Sequence, residues 1–100
     1  MNTYAKATVK YFPDNVIVLI SADNEEQKPY IALTEVEIHG HYTYMIVKDP
    51  TVSKEESESM TRRDMDGHIG WVTDEEEVDY VLNIIKNAEV INEVTETIEI

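Results

Sequence analysis

The side chains with the most chemistry to offer are the carboxylates of the second half of the chain. Residues 51–100 carry 14 acidic and 4 basic side chains, against 7 and 4 in residues 1–50, so most of the net charge of −13 lies there. The densest run is Asp74, Glu75, Glu76 and Glu77, followed by Asp79. Such a chain repels nucleic acid, and direct nucleic-acid binding is not expected. A carboxylate surface can instead occupy a basic groove on a protein that handles nucleic acid. Duplex DNA presents roughly one charge per 1.7 Å of axis, and its partners respond largely to that potential. Glu75, Glu76 and Asp79 are the candidate partner-binding carboxylates. The plainer alternative is that they only solvate a helix face.

A second candidate is Asp64 to Gly70, DMDGHIG. Two aspartates two apart, a glycine for a sharp turn, a variable residue and then isoleucine resemble the middle of an EF-hand calcium loop. Asp64 and Asp66 are therefore candidate metal ligands. The resemblance covers about seven residues. With Asp64 and Asp66 at the third and fifth loop positions, Arg62 stands first and Thr73 twelfth, where that pattern wants an aspartate and a bidentate glutamate. Asp-x-Asp-Gly is also ordinary turn chemistry before a capped helix, and that reading fits better. His39, His41 and His68 could meet at a zinc ion only if the fold gathered them; at a hairpin tip the first two read as surface histidines.

Catalytic patterns are missing. Ser21, Ser53, Ser57 and Ser59 sit in no nucleophile elbow, three glycines make no phosphate loop, and there is no cysteine. The expectation is a non-enzyme without a cofactor. Tyr42 and Tyr44, expected on the wetter sheet face beside Glu35 and Glu37, are further candidate partner contacts, because tyrosine is a rigid amphipathic anchor. Cross-strand aromatic packing is the alternative reading.

These residues must be held by elements, and the clearest is Thr73 to Asn87. Thr73 with Glu76 forms a capping box, acidic side chains occupy the first turn, and Val78, Val81, Leu82 and Ile85 make one apolar face. Burying those four contributes roughly 6–12 kcal/mol gross. Tyr4 to Phe12 alternates as a half-buried strand, Pro13 to Asn15 reads as a turn, and Val16 to Ala22 reads as an interior strand. Tyr30 to His39 and His41 to Lys48 read as a hairpin about His39 and Gly40. A two-residue loop puts Ala32, Val36 and Ile38 with Met45 and Val47 on the core face. Ser53 with Glu56 is a second capping box, opening a surface helix that buries only Met60. Asp64 to Trp71 reads as a loop whose tryptophan tucks under the main helix. The tail after Asn87 favours a strand.

At 100 residues and 42% hydrophobic content, the chain is expected to be one small α+β domain spanning residues 1–100. Its architecture is an antiparallel meander of four to five strands with one main amphipathic helix packed on one face. No basic segment leads into an apolar run near Met1, and no apolar stretch of about 18 residues occurs, so a cytoplasmic location without a membrane span is expected. The leading functional expectation is a non-enzymatic, acidic protein–protein interaction module, an inhibitor of a basic nucleic-acid-handling protein in its sharpest form. The alternatives are a calcium- or metal-responsive module built on Asp64 to Gly67, and a homodimeric structural protein.

Overall fold

The computed structural model describes residues 6–13, 16–23, 25–52, 58–87 and 96–99. In chain order the elements are β1 (Lys6–Tyr11), β2 (Ile17–Ile20), β3 (Lys28–Ile38), β4 (Thr43–Lys48), β5 (Glu58–Arg63), β6 (Ile69–Trp71), α1 (Glu75–Asn87) and β7 (Glu96–Glu99). The strands form an antiparallel sheet in the order β6-β5-β4-β3-β1-β7, with β2 also paired to β3. An α+β fold with one amphipathic helix across an antiparallel sheet is what the residue pattern led us to expect. The tail does supply a strand, β7, which pairs with β1; residues 88–95 lie outside the described residues.

The chain does not reverse between β1 and β2. Ile31 pairs with Lys48 of β4 on one side and Ile17 of β2 on the other, so β1 and β2 lie end to end along the same edge of β3. Tyr11 and Ile17 are six positions apart, while their partners Thr34 and Ile31 are three apart. Proline has no N–H for the ladder, which accounts for an interruption at Pro13; Asp14 and Asn15 lie outside the described residues. β2 is correspondingly not interior, since Ile17 and Leu19 are 54% and 62% exposed.

The β3–β4 hairpin turns through three residues rather than two. Ile38 N–H donates to the Tyr42 carbonyl, His41 N–H donates to the Ile38 carbonyl, and Gly40 takes φ +80. The additional residue slips the pairing by one, so that Val36 faces Tyr44 and Glu35 faces Met45. A register irregularity between Ala32 and Thr34 takes the slip out again, and Ala32 faces Val47 as the simpler loop would have it. Two one-residue irregularities thus bracket a stretch in which β4 is inverted relative to β3: Val36 and Ile38 keep the core face expected of them, but share it with Tyr44 instead of Met45.

Glu58–Arg63 is a strand, not a surface helix. As a helix it would bury Met60 alone; paired with β4 it buries Met60 and Thr61 on opposite faces and satisfies its backbone. Ser53 and Glu56, the second capping box, lie outside the described residues. Ile69–Trp71 extends the ladder as β6.

Both sheet faces carry a core. On the helix face Ala7, Val9, Val36, Ile38, Tyr44 and Met60 pack with Val81 and Ile84 of α1. On the other, Val47 packs with Ile20 and Ala22, flanked by Tyr30, Met45 and Trp71. The Trp71 ring therefore belongs to this second core and meets Tyr30 edge-on at 5.5 Å. Asp23 N–H donates to the Ile69 carbonyl at 3.0 Å, joining the end of β2 to β6. β3, β4 and β5 lie between them, about 19 Å across if flat. Three residues after Ile20 reach only about 10 Å, so the sheet curls over this core. Asp23, at φ +53, sits in a left-handed conformation that aspartate tolerates better than most.

Candidate functional site

Helix α1 begins one residue later than its capping pattern suggests. Asp74, not Thr73, is the cap: its Oδ1 accepts from Glu76 N–H at 3.1 Å, and its carbonyl accepts from Val78 N–H. Val81 and Ile84 form the buried line, Val78 and Ile85 flank it, and Leu82 is left 44% exposed. At the far end the Tyr11 hydroxyl donates to the Ile85 carbonyl.

Glu75, Glu76 and Asp79 are all exposed, and none takes part in an ion pair among the described residues. Glu77 is different. It lies four residues before Val81, on the line that faces the sheet, and its carboxylate accepts from the Tyr44 hydroxyl and the Arg62 guanidinium, each at 2.7 Å. Arg62 also stacks over the Tyr42 ring at 5.1 Å, and Tyr42 meets Tyr44 edge-on. Burial pushes the Glu77 carboxyl up, but the hydrogen bonds from Tyr44 and Arg62 and the guanidinium charge outweigh it and leave it below the usual glutamate range. The hydrogen bond to Glu77 raises Arg62. Glu77 and Arg62 were missed in the sequence, although the helical spacing of Glu77 from Val81 and Ile84 pointed a carboxylate at the sheet.

Tyr44 is therefore not a surface anchor. It is 3% exposed and packs against α1, whereas Tyr42 is 42% exposed. Glu35 and Glu37 stand opposite Met45 and Thr43, not beside the tyrosines. The cause is the three-residue turn. Burial, then the Glu77 hydrogen bond and charge, raise the Tyr44 phenol far above its ordinary value. A phenol raised in the folded state contributes stability below its ordinary pKa and loses it as pH rises through the folded value. Alkaline titration followed by phenolate absorbance should therefore show Tyr44 ionising only together with unfolding. Tyr44→Phe should move that unfolding to higher pH, and an unchanged alkaline midpoint would contradict the assignment.

Asp64, Asp66 and His68 do come together, with one potential ligand atom from each lying within 4.8 Å of the others. The flanking elements are β5 and β6 rather than two helices, so the EF-hand frame is absent. Asp64 Oδ1 accepts from the N–H groups of Asp66 and His68, and Gly67 closes the turn at φ +89. The His68 N–H bond, with smaller help from Asp66 and the His68 ring, lowers the Asp64 carboxyl despite some desolvation. This is the turn chemistry of a hairpin. His39 and His41 are exposed at the other hairpin, with His39 Nε2 2.7 Å from Thr8 Oγ1.

Between α1 and the β5–β6 side of the sheet runs a cleft of about 400 Å³, floored by Ile46, Met60, Val72 and Val78 and edged by Leu82, Trp71 and Glu58. Asp23 also lies along β6: its Oδ2 accepts from Trp71 N–H at 3.4 Å, and Trp71 Nε1 donates to Glu25. The outward groups of this edge strand are thereby occupied, which protects it from pairing with another chain.

Fold and site together define a small α+β protein, a curled antiparallel sheet bearing one acidic amphipathic helix. Comparison with protein-family models, curated protein sequences and solved structures gives no match. Among the described residues, no helix is long and apolar enough to cross a membrane.

Proposed function

We propose that this protein is a non-enzymatic, cytoplasmic interaction module whose acidic helix face occupies a basic surface on a partner, of the kind that otherwise contacts nucleic acid. One observation carries this reading. Of the five carboxylates from Asp74 to Asp79, Glu77 is neutralised by Arg62, while Glu75, Glu76 and Asp79 stand exposed on the same helix with no ion pair among the described residues. Carboxylates that only stabilise a helix are needed in its first turn, where they meet the dipole; Asp79 lies beyond it. An unneutralised negative stripe steers a cationic partner and fixes its orientation more than it adds affinity.

The test is capture of partners from host lysate at about 50 mM and about 200 mM salt, followed by competition with duplex DNA. The expected result is a basic nucleic-acid-binding protein held at low salt, released by DNA, and bound at least about tenfold more weakly by the variant carrying Glu75→Lys, Glu76→Lys and Asp79→Lys. A partner set that ignores salt and DNA, or full binding by the triple variant, would remove the proposal.

A further inference from the structure

From the cleft beside α1 we infer that the partner bound by the acidic helix is held by a lysine- or arginine-rich segment that inserts aliphatic side chains between α1 and β5; this rests on the acidic-face reading. The cleft floor is apolar, Ile46 and Met60 from the sheet, Val72 from the end of β6 and Val78 from α1, and among the described residues no lysine or arginine lines it. Its volume, about 400 Å³, falls within the range of pockets that hold ligands. One wall is Leu82, a large aliphatic side chain left 44% exposed on an otherwise ordered helix.

The rim is negative on both sides. Glu58 stands on the β5 side. On α1, Val78 and Leu82 are preceded three residues earlier by Glu75 and Asp79, which helical geometry places on the same stripe. Four residues of helix separate those carboxylates by about 6 Å along the axis. An apolar slot with Glu58 on one side and Glu75 and Asp79 on the other, none of them in an ion pair among the described residues, complements a peptide whose aliphatic side chains alternate with cationic ones. A purely cationic surface would leave the slot empty, and a purely apolar one would leave the rim unmatched. In this arrangement the slot supplies the slow dissociation and the carboxylates the fast, salt-dependent encounter.

The experiment uses two short peptides of equal length and equal lysine content, one with leucines between the lysines and the other with serines in their place. Each is titrated into the full chain, with Trp71 fluorescence and the Val78 and Leu82 methyl resonances as readouts. The leucine peptide should bind at least about tenfold more tightly than the serine peptide, and only it should shift Trp71 and those methyls. Leu82→Gln, which leaves the charge unchanged, should abolish the difference while preserving binding of the serine peptide. Met65→Gln, at an exposed position on the β5–β6 turn, should preserve the difference. Equal binding of the two peptides overturns the inference and leaves the acidic-face reading standing, as does a difference that survives Leu82→Gln. Binding of neither peptide overturns both. A Trp71 shift that follows protein concentration rather than peptide gives the cleft to a second copy of this chain and also overturns it.

Discussion

Replacing Val81 with aspartate should unfold the protein, or lower its melting temperature by about 15–30 °C. Val81 is fully buried where α1 meets Ala7, Val9 and Val36. An aspartate there has no cation to meet, because Arg62 is already engaged by Glu77. An unpaired buried charge costs about 4 kcal/mol or more. A chain of this length has about 5–15 kcal/mol in total, and each kcal/mol is worth about 4–8 °C in a domain of this size. Val81→Ala, which leaves only a cavity, should cost about 2 kcal/mol. Loss should be cooperative across both cores, since β3 supplies Val36 to one and Tyr30 to the other, and β4 supplies Tyr44 and Val47 likewise. Far-ultraviolet helical signal and the near-ultraviolet signal of Trp71 should therefore disappear together. Retention of both in Val81→Asp, with melting near that of the parent, would show that α1 is not seated as described.

Glu77→Ala should be the second most damaging change, at about 2 kcal/mol. It leaves the Tyr44 hydroxyl buried without its acceptor and removes the partner of Arg62, and hydrogen bonds to charged groups are worth about 1.5–3 kcal/mol. The Arg62 side chain is 38% exposed, so water recovers part of its loss and the larger sum does not apply. The pH dependence has a definite sign. Glu77 is lowered in the folded state, so its contribution is present above the ordinary glutamate range and disappears as pH falls through the lowered folded value. The stability gap between parent and Glu77→Ala, measured by urea unfolding, should be widest near neutral pH and close in acid. A gap that does not depend on pH would assign the loss to packing instead of charge. Glu75→Ala, four residues earlier than Asp79 and fully outside this network, should show no comparable gap.

The contrast between Glu77 and its neighbours explains how much could be read in advance. Helix α1, the alternation of β1, the hairpin at Gly40 and the C-terminal strand all rest on local signals, namely spacing of apolar residues, acidic side chains in the first helical turn and a glycine where a tight turn needs positive φ; the capping residue itself, Asp74 in place of Thr73, came only from the structure. β5 does not. Glu58–Arg63 has neither strong strand propensity nor an apolar face, and it becomes a strand because β4 offers it a ladder and a place for Met60 and Thr61. Tyr44 was unreadable for a different reason. Whether a hairpin turns in two residues or three, and whether Leu33 is accommodated by an irregularity, are small local differences in free energy, yet each moves every following side chain to the other face of the sheet.

By itself, then, the order of residues determined the acidic second half, the amphipathic helix, the antiparallel strands and the absence of any cysteine thiolate, because each depends on side-chain type and on short-range periodicity. Only the tertiary structure decided which carboxylate is neutralised and which remain free, that Asp64 serves a hairpin turn, that Tyr44 is buried while Tyr42 is exposed, and that an apolar cleft opens beside Glu75 and Asp79. Those outcomes depend on which strands are neighbours and in what register, and register is set by contacts between residues far apart in the chain, such as Arg62 with Glu77 and Asp23 with Ile69.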